Sequence, residues 1–200
     1  MMPESPVTIV LASRSPRRLE LATAQGWHVQ VVMPPDEAEA TAPPRQAGEP
    51  LEAFVLRLAR AKAEAVVAAG TPGLILACDT LSEVDGEPLG KPADEGDARR
   101  MLEKLSGRHH RVVTGVCLWQ RPEHDAPRLA TAESTLVMEV LAPEFLDWYL
   151  ASGMWRGKAG ACGFQDERLP LRLIAGSPSN VVGLPIELVT AMLREKTSPP

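Results

Sequence analysis

The stretch Val7 to Gly26, VTIVLASRSPRRLELATAQG, decides the fold class. Its first part, through Leu11, is a short apolar run rich in β-branched residues, as in a buried strand. Pro16 then stands where the first turn of a helix tolerates it, and Gly26 marks that helix's stop. A strand running straight into a helix is the opening unit of an α/β fold. Between them lie Ser13, Arg14, Ser15, Arg17 and Arg18. Hydroxyls and guanidinium groups at a strand-to-helix junction meet backbone N–H groups and the positive end of the helix dipole, a ready anion site. Arginine adds bidentate recognition of phosphate oxygens. An ordinary cap by Ser15 with solvated arginines accounts for the same residues. Neither the paired glycines of a dinucleotide fingerprint nor the GK[ST] of a P-loop is present.

Working outward, strands and helices keep alternating. WHVQVVM reads as a second strand, and the acidic, proline-rich Pro34–Pro50 as a surface loop. A long helix is expected from Leu51 to Ala69, then a strand GLILACD and a hairpin LSEVDGEPLG turning at Asp85-Gly86. A helix near Asp94–Leu105 precedes two long strands, HRVVTGVCLWQ and LATAESTLVMEV. A short helix at Pro143–Ser152, a glycine-rich loop GMWRGKAGACGF, a strand near LRLIAG, a turn at GSPSN and a closing helix from Leu184 complete the chain. The pattern predicts one domain across residues 1–200, with a fraying tail at 194–200.

The chain has 200 residues, 44% hydrophobic and 24% charged, with a formal net charge of -5. That balance offers no general attraction to nucleic acid or to an anionic membrane, so neither is expected as a partner and any basic site is local. Three widely spaced cysteines, Cys78, Cys117 and Cys162, read as reduced core thiols. The opening lacks a basic n-region, and no run of about 18 apolar residues occurs, so a cytoplasmic location is expected.

Three further features concentrate chemistry. Lys62 falls inside the apolar stripe Leu51, Phe54, Val55, Leu58, Ala65, Val66, Ala69, where an ammonium needs a carboxylate, a phosphate or a wet cleft; a snorkelling lysine is the plainer alternative. Asp79 follows an apolar run, the place where open α/β sheets put reactive groups, although an aspartate there also caps turns. Lys91, beyond the hairpin, is expected to fold back towards it. His109 and His110 point to opposite faces of one strand, which disfavours a shared zinc ion. Lys158 and Gln165 lie in a loop whose glycines let backbone approach a ligand.

The blocks LASRSPRRLEL, RLARAKA, ACDT, GKP, SGRHHRVVTGV, KAGACGFQ and NVVGLP, in that order, resemble the Maf family of nucleoside triphosphate pyrophosphatases, also called septum formation inhibitor proteins, over about residues 7–193. The resemblance implies a mixed, twisted sheet with flanking helices, in two lobes around a central nucleotide-binding cleft of the Maf/ITPase-like kind. It implies hydrolysis of a nucleoside triphosphate to monophosphate and pyrophosphate with a divalent cation, Mg2+ or Mn2+. By position, Ser13, Arg17 and Arg18 match the phosphate-binding motif, with Ser15 in the same turn. Lys62 and Lys91 match active-site lysines. Asp79 matches the acidic residue proposed as base and metal ligand, and Glu39 matches a second metal ligand whose usual acidic neighbour is Ala38 here. Lys158 and Gln165 match the block typical of the dTTP/UTP subgroup, with Cys162 where relatives often carry tyrosine. A nucleotide-binding regulator of cell division with little turnover, or a sugar-phosphate nucleotidyltransferase, would use many of the same cations. The assembly is left between monomer and homodimer.

Overall fold

The computed structural model describes residues 6–34 and 43–195. Its centre is a seven-stranded mixed sheet in the order β2-β1-β3-β5-β6-β7, with β4 paired to β3. The strands are β1 (Thr8–Leu11), β2 (His28–Val31), β3 (Gly73–Val84), β4 (Glu87–Leu89), β5 (His109–Arg121), β6 (Arg128–Met138) and β7 (Leu171–Ala175). The helices are α1 (Pro16–Ala24), α2 (Leu51–Ala68), α3 (Glu95–Leu105), α4 (Pro143–Ser152), α5 (Pro178–Val182) and α6 (Ile186–Arg194). β1 runs parallel to β2 and β3, and every other pairing is antiparallel. The mixed α/β architecture expected from the sequence is the one observed.

Two details differ from expectation and both bear on the site. β3 does not stop at Asp79. It runs on through Val84 into the β4 hairpin, twelve residues in all, because Leu81 and Val84 each pack against an apolar cluster while Thr80, Ser82 and Glu83 find partners on β5. The hairpin itself turns at Asp85-Gly86, both at positive φ, as that dipeptide predicts. The segment after β7, expected as a turn, is the short helix α5, with Ser177 accepting from the Asn180 N–H as its cap.

Apolar packing has its larger centres at the two ends of β3, with a small cluster of Leu51, Val55 and Val113 between them. At one end, Ile9, Leu11, Leu76, Cys78, Val116 and Leu118 meet the α6 residues Val189 and Met192 on one face of the sheet. On the other face Ala59, Ala63 and Val66 of α2 cover Val10, Ile75, Ala77 and Cys117. At the far end, Val84 and Leu89 join α3, α4 and Trp155 in a separate cluster. Between these centres β3 carries Asp79, Ser82 and Glu83, polar and yet less than a tenth exposed. Polar side chains kept from water need partners, so the middle of β3 is where the fold concentrates its hydrogen bonding. No described helix is long and apolar enough to cross a membrane.

Candidate active site

Lys62 does turn inward. On α2 it is buried among Leu58, Ala59, Ala63 and Val66, and its Nζ lies 2.5 Å from Asp79 Oδ1. A second, longer contact reaches the Cys78 carbonyl at 3.4 Å. The helix can come this close because β5 presents Gly115 opposite Asp79. A Cβ at Gly115 would sit 2.5 Å from the Val55 carbonyl carbon and oxygen, inside the backbone of α2. β1 ends at Leu11, paired to Leu76, so β3 has lost that neighbour before it reaches Asp79. Beyond Leu11 the chain enters the serine and arginine turn.

In that turn Ser13 is buried and its Oγ accepts from the Ser15 N–H at 3.1 Å. Ser15 is the N-cap residue of α1, yet its side chain makes no capping bond, which leaves its hydroxyl and the first N–H groups of α1 without intrahelical use. The arginines are not simply solvated. Arg14 donates to the Pro34 carbonyl, and Arg17 donates to the Gly157 carbonyl at 3.2 Å. Arg18 is fastened on the face of the sheet opposite Lys62: it donates to the Gly183 carbonyl at 2.7 Å and to Thr80 Oγ1 at 3.1 Å. Each threonine hydroxyl has one proton. Because Thr114 donates to the Asn180 carbonyl, the Thr80 hydroxyl must donate to Thr114, giving a directed chain from Arg18 through both threonines to α5. Asn180, in the segment expected as a turn, is 1% exposed and donates from Nδ2 to the Val112 carbonyl and Ser134 Oγ.

The glycine-rich loop is the third part. Lys158 Nζ lies 2.6 and 2.5 Å from the two carboxylate oxygens of Asp166, and the buried Tyr149 hydroxyl on α4 donates to Asp166 Oδ2 at 2.5 Å. Burial, then the hydrogen bond to Asp166 and its charge, push the Tyr149 phenol well above its ordinary range, so it remains a donor. The Gly160 N–H donates to the Gly90 carbonyl, which joins this loop to the residue before Lys91. Lys91 and Gln165 are both exposed, and Lys91 forms no ion pair with Asp79 among the described residues. Glu39 lies outside the described residues.

The remaining candidates are structural. His110 is buried and held neutral, its pKa lowered to about 4 chiefly by burial. Burial likewise pushes the Cys78 thiol up to about 11 and Cys117 to about 12, consistent with unpaired core thiols. Arg111 gathers Glu83, Glu52 and Glu133, fastening β5 to β3, α2 and β6. Among the described residues no three His, Cys, Asp or Glu side chains converge as a metal cage. Mg2+ needs no such cage when phosphates and water complete its octahedron, so a lone carboxylate, Asp79, fits an ion that arrives with a triphosphate. The residues that sequence reasoning did not single out are Gly115, Tyr149 and Asp166; a glycine inside a strand was the available signal for the first.

The family model described as Maf-like protein matches residues 8–196, and the chain belongs to the Maf family. It is 44% identical over 194 residues to a dTTP/UTP pyrophosphatase of an Anaeromyxobacter species, covering 96% of this chain and 90% of that one. A dTTP/UTP pyrophosphatase of Rhodopirellula baltica is 42% identical over 190 residues, covering 94% and 82%. One from Pyrococcus abyssi is 38% identical over 188 residues, covering 93% and 95%. Among solved structures, the Staphylococcus aureus Ham1 protein superposes with a TM-score of 0.52 at 17% identity, covering 95% of this chain and all of that one, a likeness of fold alone.

Proposed function

We propose that this chain hydrolyses nucleoside triphosphates, dTTP and UTP foremost, to the monophosphate and pyrophosphate. The observation that carries this reading is the buried Lys62–Asp79 pair in the polar middle of β3, next in the fold to a turn of hydroxyls, cations and free N–H groups. The relatives' printed activity supports the reaction class and the pyrimidine preference.

In this account the triphosphate lies along the start of α1. Ser13, Ser15, Arg17 and the helix N–H groups take phosphate oxygens, while Arg18 fixes that turn to the sheet through Gly183 and Thr80 and offers its remaining N–H groups. Asp79 accepts the proton of the attacking water. Lys62 holds the carboxylate in place and adds positive charge where charge builds on the departing pyrophosphate. Lys91 neutralises the outer phosphates. Asp79, with Glu39 as the second ligand that the resemblance implies, would hold a divalent cation, which would supply further neutralisation of charge. Gln165 reads the base: one amide matches the N3–H and adjacent carbonyl of uracil or thymine.

The test is a panel of the common nucleoside triphosphates with Mg2+, read by pyrophosphate release. Turnover strongest with dTTP and UTP, lost with chelator and restored by Mg2+ or Mn2+, is the expected outcome. Preference for a purine triphosphate would overturn the base assignment, and failure to release pyrophosphate from any of them would overturn the reaction.

A further inference from the structure

The loop that carries Gln165 is irregular and exposed at that residue, and an exposed glutamine in a slack loop cannot discriminate bases. Binding selectivity needs the reading group held in place by its own supports. The support here is built from charge. Asp166, the residue after Gln165, has both carboxylate oxygens against the Lys158 ammonium, and the two side chains are only 12% and 15% exposed. The Tyr149 hydroxyl closes the same carboxylate from α4, and Tyr149 is fully buried in the cluster that includes Leu105, Leu150 and Trp155. The Asp166 N–H donates to the Gly163 carbonyl, closing a turn that contains Gln165, and the Asp166 carbonyl accepts from the Leu169 N–H, closing the next turn. Gly163 leaves room for the lysine: a Cβ there would lie 2.8 Å from Lys158 Nζ. A shielded carboxylate with three side-chain contacts is costly to form and has little net value as a stabiliser, which points to a geometric purpose.

We infer that Tyr149, Asp166 and Lys158 form a brace that positions Gln165, so that Asp166 and Tyr149 are positioning residues for nucleobase selection. The inference rests on the pyrimidine reading of Gln165 proposed above. Lys158 acts in it through Asp166 and not through phosphate. Nothing in the brace touches the reacting atoms. Its loss therefore acts on the affinity for the preferred base, because a wandering amide forfeits hydrogen bonds that only uracil or thymine makes, while triphosphate contacts common to all nucleotides persist.

The experiment measures binding of the non-hydrolysable α,β-methylene analogues of dTTP and GTP by calorimetry. The proteins are the wild type, Asp166→Asn, Tyr149→Phe and Gln165→Ala, plus the double variant Gln165→Ala/Asp166→Asn. In the wild type the dTTP analogue binds more tightly. Asp166→Asn should weaken it by about tenfold or more, the scale of one lost hydrogen bond to a base, and leave the GTP analogue nearly unchanged. Tyr149→Phe, a milder change that keeps the fold if Asp166→Asn does not, should move the ratio in the same direction. On the Gln165→Ala background Asp166→Asn should add nothing, whereas independent effects would sum. Equal weakening of both analogues, or an additive double variant, overturns the brace as a positioning device. So does a wild type that binds both analogues alike. Because binding is read without turnover, a protein that fails to hydrolyse any triphosphate but loses its binding ratio in Asp166→Asn would contradict the proposed reaction and leave the brace standing.

Discussion

Lys62 Nζ and Asp79 Oδ1 lie 2.5 Å apart, from a helix and a strand packed face to face, with 6% and 9% of their side chains exposed. A buried ion pair is weak evidence for stability, since well-packed apolar residues in its place are often neutral or better. An ammonium and a carboxylate kept together beside a turn of hydroxyls and guanidinium groups have instead the chemistry that the proposed reaction needs to place a water against a phosphate.

That distinction can be tested with three variants. Asp79→Asn and Lys62→Met each break the pair, and removal of one partner of a buried pair costs about 3–5 kcal/mol of stability. Asp79→Asn should also lower kcat by about 100- to 10,000-fold, the usual worth of a general base. The double variant Lys62→Met/Asp79→Leu should melt near the wild-type midpoint and remain inactive. Thermal melts alongside turnover decide; a double variant that regains turnover would remove the pair from the chemistry.

Gly115→Ala addresses the close approach of α2. Its new Cβ would meet Val55 backbone at 2.5 Å, where no side chain can yield. Overpacking of this kind costs about 1–3 kcal/mol. Since α2 is also what delivers Lys62, denaturant unfolding and turnover should fall together. A variant with wild-type stability would show that α2 is free to shift.

Asn180→Ala removes the hydrogen bonds donated to the buried Val112 carbonyl and to Ser134 Oγ, which then keeps only its bonds with Ser177, and should cost about 1–3 kcal/mol. Asn180→Asp, nearly the same shape, loses both donors as well and should be no better. Denaturant midpoints for the pair provide the check, and an Asp variant as stable as wild type would contradict the hydrogen-bond account.

His110 predicts an acid limit. Its folded pKa, lowered to about 4 from 6.5 by burial, means that between those values the unfolded chain binds the extra proton. Stability therefore rises with pH through that window and is lost as pH falls below 6.5. The difference amounts to about 3 kcal/mol by pH 4 at the usual conversion for pKa shifts. His110→Phe should show a shallower decline than wild type between pH 6.5 and 4.5 in denaturant titrations. Parallel curves would exclude His110 as a source.

Much of the site was legible because it breaks a pattern. Lys62 stands out as a charge in an apolar helical stripe, and the SRSPRR turn as cations at a helix start. Asp79 was readable as a residue of interest but not as a mid-strand one: a polar run through Thr80, Ser82 and Glu83 separates the strand GLILACD from the hairpin until their shared β5 partners show them to be one strand. Asp85-Gly86 announced its hairpin because both positions need positive φ. Asp166 and Tyr149 were invisible for a different reason. Their contact joins a helix to an irregular loop, and no periodicity connects residues across such a loop. Asn180 looked like turn chemistry because a five-residue helix leaves almost no periodic signal, and its burial depends on β5 and β6.

The most direct measurement tracks the products of dTTP with Mg2+ and the wild-type protein by phosphorus NMR. The account predicts that dTMP and pyrophosphate appear in equal amounts as dTTP disappears, with no dTDP and no orthophosphate accumulating, and that Asp79→Asn leaves the spectrum nearly unchanged over the same interval. Release of orthophosphate with dTDP, or an unaltered dTTP spectrum in the wild type, would contradict it.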